Sequence, residues 1–160
     1  PKEVYLRPAS PRAARAMGPV SLLPGVVTAR GKGGRLALEV EGLTLPARAP
    51  VPAPTMGEDV FLCLRPEQIR LRDTPQGGFF VSGLVKAIRR EGDAPLAVVA
   101  LPTGRELLCA HPGAFDPVPG SRVFLWWDPA QVALVPGEEE LFAPGDGGMP
   151  LREEAVAWAP

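Results

Sequence analysis

The chain has 160 residues, with 17 Lys and Arg against 18 Asp and Glu, and its net charge of −1 gives no general case for nucleic acid or an anionic membrane as partner. A hydrophobic fraction of 46% is enough for a buried core, yet no apolar stretch approaches the ~18 residues of a membrane span. The 21 Pro and 18 Gly punctuate apolar runs instead of forming tracts, which points away from disorder and toward short strands joined by many turns.

In chain order, Ser10-Pro11 followed by Arg-Ala-Ala-Arg-Ala and Gly18 reads as an N-cap, a Pro at the first helical position and a terminating Gly, predicting one short helix over 11–17. Runs rich in Val, Leu, Ile and Phe predict strands at 25–30, 35–41, 43–48, 58–64 and 68–72. A second set follows at 79–90, 95–101, 105–110, 121–127 and 131–135. Leu36-Ala-Leu-Glu-Val-Glu alternates as a half-buried strand does. The Pro in Leu64-Arg65-Pro66 and in Trp127-Asp128-Pro129 cannot donate to a ladder, so it predicts a strand break. Residues 137–150 read as a linker, and Leu151 to Trp158 as a helical turn or two, or a fraying end.

The two sets are copies. Val60-Phe-Leu-Cys-Leu-Arg-Pro-Glu-Gln-Ile-Arg-Leu71 and Val123-Phe-Leu-Trp-Trp-Asp-Pro-Ala-Gln-Val-Ala-Leu134 share six of twelve residues at an offset of 63. The offset falls to 62 for Gly42 and Gly104, 60 for Leu36 and Leu96, and 58 for Gly25 and Gly83, as slightly longer surface loops in the second copy would produce. The predicted organisation is a linker segment with a short helix at 1–23, one unit at 24–73, a second at 81–136 and a mobile acidic tail at 137–160. Five short strands per unit predict a mainly β protein built from tandem small barrels of the OB type. The start at Pro1, without Met, suggests a segment cut from a longer protein.

Charge is uneven along this plan. Residues 1–35 hold seven bases and one acid, and residues 136–160 hold six acids and one base; two solvated ends are the simplest reading. Cys63 and Cys109 lie in apolar runs and read as two buried free thiols.

Catalytic groups are sparse. Gly31-Lys32-Gly33-Gly34 is too short for a phosphate loop and reads as a hairpin turn. His111 is the only His, so neither a His-based metal cluster nor a well-supported Ser–His–Asp triad can form; it reads as a turn residue, and Glu138–Glu140 as a solvated charge run. No catalytic residue and no metal site is therefore assigned. Two features stand out. Arg65-Pro66-Glu67 becomes Asp128-Pro129-Ala130 in the second copy, so the shared Pro marks a turn while the changed charges mark either a local salt bridge or a contact to a partner or ligand. Trp126 and Trp127 are adjacent in a strand and point to opposite faces, so one belongs to the core and the other to an interface or to a packed flank.

Three stretches carry a family resemblance. Pro1-Lys-Glu-Val-Tyr-Leu-Arg-Pro resembles a P-x-E-(I/L)-Y-x-x-P segment, Ala13-Ala-Arg-Ala-Met-Gly18 with Leu23-Pro-Gly25 resembles a V-A-x-F-(M/I)-G … N-x-L-x-G stretch in which Ala13 replaces the usual Val, and Leu64-Arg65-Pro66-Glu67 matches an RPE motif. Ala16 replaces the usual Phe, and the Asn is missing. Together they are similar to the C-terminal, TOBE-type regulatory region of the ATP-binding subunit of bacterial ABC importers of the ferric-iron, polyamine and sugar group. The resemblance implies a non-catalytic module that pairs with its twin in a homodimer, meets membrane permease subunits through the full subunit, and works in the cytoplasm at the inner face of the cell membrane. It also implies that ATP and Mg belong to an upstream domain, with no cofactor in these residues. An alternative is a free-standing oxyanion or small-metabolite binder that uses backbone N–H groups at glycines 31, 33, 34, 77 and 78. Single-stranded nucleic acid is disfavoured: aromatic residues are only 6%, and residues 36–135 hold nine bases against eleven acids.

Overall fold

A computed structural model describes residues 7–75, 77–91, 94–110 and 116–137. His111, Glu138–Glu140, the first six residues and the tail lie outside the described residues. The helix α1 spans Pro11–Ala16; Ser10 caps it, its hydroxyl accepting the Ala13 N–H at 3.0 Å. Ten strands follow: β1 Ser21–Arg30, β2 Arg35–Val40, β3 Leu43–Arg48, β4 Asp59–Leu64, β5 Arg70–Arg72, β6 Val81–Glu91, β7 Ala94–Ala100, β8 Glu106–Ala110, β9 Arg122–Trp126 and β10 Ala133–Pro136. The protein is mainly β, as the sequence predicts. The predicted strand at 25–30 begins earlier, at Ser21, and runs through Pro24. Pairing with β2 starts only at Val26, so Pro24 withholds no donor from that neighbour.

The strands form two five-stranded sheets, ordered β10-β4-β1-β2-β3 and β5-β9-β6-β7-β8. They do not sort by copy. Each sheet takes four strands from one copy and its fifth from the other: β10 pairs with β4, and β5 pairs with β9. The outermost strands then approach one another, β10 beside β3 and β5 beside β8, so each sheet curls toward closure.

The copies repeat each other down to irregularities. The β1–β2 register slips between Val27 and Ala29, and the β6–β7 register slips at the equivalent place between Val85 and Ala87. The Gly57 N–H donates to the Val27 carbonyl at 2.8 Å, and the Gly120 N–H to the Val85 carbonyl at 2.7 Å. One hydrophobic core spans both sheets, from Leu23, Leu38 and Leu62 to Val99, Leu107 and Leu125. A second, smaller core lies on the far side of β4, where Leu22, Phe61, Cys63, Ala133 and Val135 pack on Ala14 of α1. Cys63 thus faces α1 while Cys109 lies in the main core, and both are free thiols. Burial pushes the Cys63 thiol up to about 12, with Arg65 opposing; burial also raises that of Cys109.

Candidate functional site

The two corners that follow β4 and β9 differ between the copies. After β4 the chain turns through a short 3-10 segment, Pro66–Gln68. The Arg65 N–H donates to Gln68 Oε1 and the Gln68 N–H to the Arg65 carbonyl, both at 2.9 Å. The Arg65 side chain is only 2% exposed; its Nη1 donates to the carbonyls of Gly18 and Pro19 at 3.1 and 3.2 Å, tying the segment after α1 to the corner. Pro66 is buried and Glu67 is exposed. In the second copy, Asp128 Oδ1 accepts the Ala130 N–H at 2.9 Å and so serves its own turn. Equivalent glutamines join the corners, Gln68 Nε2 donating to the Gln131 carbonyl at 2.9 Å.

The neighbouring tryptophans separate as strand alternation demands. Trp127 is 1% exposed and lies in the main core, with Phe79 edge-on at 4.9 Å. Trp126 is half-buried on the outer face of the second sheet, with the Arg72 guanidinium 5.7 Å from its ring centre. Both rings line a cavity of about 340 Å³ with Arg72, Phe79, Phe124 and Asp128. Trp126 Nε1, Trp127 Nε1 and Arg72 Nε are buried without a hydrogen-bond partner among the described residues. These groups only donate, so the cavity favours a ligand that accepts hydrogen bonds beside an apolar body.

An ion pair between a buried arginine and an exposed glutamate, which the motifs did not flag, joins the copies. Arg105, 5% exposed, donates from Nε and Nη2 to the two carboxylate oxygens of Glu41, each at 2.7 Å. Arg105 holds the Glu41 carboxyl below its usual range against a smaller, opposing effect of burial. Glu41 sits at φ 51 in the β2–β3 turn, where its left-handed backbone aims the side chain across to the second copy. That geometry carries no sequence signature. A second groove, of about 820 Å³, lies between the proline-rich loop around Val51–Pro54 and β10. Among the described residues, no group of three or more His, Cys, Asp and Glu could hold a metal ion, and no helix is long and apolar enough to cross a membrane.

With the duplicated, strand-exchanged sheets and their divergent corners in view, comparison with known proteins places the chain. Residues 62–135 match the TOBE domain. Its relatives include the spermidine/putrescine import ATP-binding proteins PotA of Oleidesulfovibrio alaskensis and Acidothermus cellulolyticus. The first is 30% identical over 79% of this chain and 37% of its own length; the second is 32% identical over 81% and 35%. The PotA protein of Marinobacter nauticus is 29% identical over 96% of this chain and 40% of its own. The chain thus spans roughly two-fifths or less of these relatives. In solved structures, the fold is like that of the cytoplasmic molybdate-binding protein ModG, crystallised with molybdate bound, with a TM-score of 0.61 at 18% identity over 72% of this chain and 96% of that one.

Proposed function

We propose that this chain is the non-catalytic regulatory and dimerisation module of the ATP-binding subunit of an ABC importer. The carrying observation is its similarity, along 79–96% of its length, to three proteins named as import ATP-binding subunits. ATP and Mg²⁺ act in a domain that precedes these residues, and the full subunit meets permease subunits at the inner face of the membrane. Within the module, Arg65 and Pro66 hold the corner that presents Glu67, and Trp127 anchors the strand that presents Trp126 on the outer face as a contact surface. Two curled, duplicated sheets with few raw edges suit this role because their corners can diverge while the sheets are kept. An ATPase assay tests the reading. The 160 residues alone should not turn over ATP, and a subunit extended upstream should; turnover by the chain alone overturns the proposal. Size-exclusion chromatography with light scattering on the extended subunit should report a dimer.

The likeness to ModG favours one second reading, an oxyanion site formed by loop N–H groups. One of those loops already uses a donor internally, the Gly31 N–H bonding the Arg35 carbonyl at 2.8 Å. Calorimetry with molybdate, sulfate and phosphate separates the readings: binding heat with any of them favours the anion site, and no heat with all three removes it.

A further inference from the structure

The internal duplication gives each residue of one sheet a counterpart on the other, and the two outer faces can be compared position by position. On the first sheet, Ala133 faces Cys63 and Val135 faces Phe61, and α1 seals this apolar face with Ala14. On the second sheet, Arg70 faces Trp126 and Arg72 faces Phe124 at the same lattice positions. Next to them, Val26 opposite Asp59 on the first sheet is matched by Leu84 opposite Arg122 on the second. The second face is left open: Phe80 and Leu84 are each 42% exposed, and no helix among the described residues covers them. The cause lies in the connection. The segment before β1 is long enough to carry α1 back over its sheet, whereas only residues 73–80 separate β5 from β6.

The open face is therefore the counterpart of a segment-docking face, with its chemistry changed. Two aliphatic side chains have become arginines, and an aspartate has become Arg122. Among the described residues, Trp126 Nε1 and Arg72 Nε meet no hydrogen-bond acceptor, which favours an occupant that brings acceptors to this face. Asp128 also lines the cavity, but its Oδ1 is engaged by the Ala130 N–H. The occupant that fits is a short segment combining carboxylates with large apolar side chains.

We propose that this face is the docking site for the acidic C-terminal segment of the same chain, residues 138–160. That segment carries six acids against one base, Arg152, together with Leu141, Phe142, Leu151, Val156 and Trp158. Its 23 residues extend up to ~75 Å at ~3.3 Å each. A domain of this size has a radius of gyration of about 15 Å, so every part of the surface is in reach. Tethering supplies an effective concentration of order mM, so modest contacts suffice to populate the docked state.

A paramagnetic spin label at Ala155→Cys in the full chain tests the proposal, because the two native thiols are buried and do not take the label. The backbone amide signals of Arg72, Phe80 and Trp126 should be at least halved, while those of β2 and β3 keep their intensity. The effect should vanish with E153K/E154K or R70E/R72E, and in about 1 M salt, where the screening length is ~3 Å. An amide spectrum of the sheets that keeps its dispersion in E153K/E154K excludes unfolding as the cause of the loss. Equal attenuation of both outer faces, or none, overturns the proposal. So does attenuation seen only when a spin-labelled copy is mixed with a separately isotope-labelled one, which would assign the occupant to a second molecule.

Discussion

The Glu41–Arg105 pair shows how much one residue's backbone conformation decides. Arg105 is almost wholly buried, and its guanidinium meets the carboxylate of Glu41, which sits at φ 51 in the β2–β3 turn. Glu41→Gln should therefore destabilise the protein by roughly 1.5–3 kcal/mol, the range for hydrogen bonds to charged groups, toward the lower end because the Glu41 side chain is 35% exposed. The pH dependence has a definite sign. The folded-state value of Glu41 is lowered, so its contribution is fully present above the ordinary carboxylate value of 4.5 and is lost as pH falls through the lower, folded one. Urea midpoints at neutral pH and at pH 3–4 should differ by less in Glu41→Gln than in the parent protein. Arg65 is the other residue-scale clamp. Arg65→Met leaves the Gly18 and Pro19 carbonyls without these donors and should cost about 1–3 kcal/mol, with faster amide exchange in α1 and in the first turn of β1.

At the scale of elements, paired glycines mark where strands approach most closely. A Cβ at Gly83 would lie 2.5 Å from Val99 Cγ1 and 2.8 Å from Leu125 Cδ1, and one at the equivalent Gly25 would lie 2.9 Å from Val40 Cγ2. Gly83→Ala should overpack the core and cost about 1–3 kcal/mol, with a smaller loss for Gly25→Ala, as thermal unfolding would report. The paired offset of 58 between these glycines was visible in the sequence, as were nearly all strands and the α1 cap, because apolar runs between turn residues and a Ser-Pro start are local signals. The separation of Trp126 from Trp127 was equally legible, since alternation is a property of any strand. What covers each outer face was not. Phe61 is identical to its counterpart Phe124 in sequence, yet only Phe61 lies beneath α1. The reach of Arg65 to Gly18 and Pro19, and of Arg105 to Glu41, joins residues 46, 47 and 64 positions apart, and no periodicity encodes contacts of that separation.

For the whole molecule, the exchange of β5 and β10 decides what counts as a folding unit. The stretch that matches the TOBE domain, 62–135, begins within β4 and ends within β10, neighbours in the first sheet, and encloses every strand of the second. Twofold repetition along the chain therefore does not divide it into two independent barrels. Without β10, strand β4 would lose its outer ladder partner, and the first sheet would expose Leu62 and Phe61 on opposite faces. The main core, which draws residues from both sheets, would open as well. The Gln68–Gln131 bond and the Glu41–Arg105 pair cross the same divide. The expected outcome is a single cooperative unfolding transition, with fluorescence of Trp126 and Trp127 and far-ultraviolet dichroism changing together. A fragment covering 7–73 should fail to give a dispersed amide spectrum alone, because its sheet ends on an unpaired β4. Adding a synthetic segment spanning 129–137 should restore ordered β4 signals by supplying the missing strand. A well-folded 7–73 fragment would show instead that β5 can return to its own copy, and that the exchange is only one of two accessible closures.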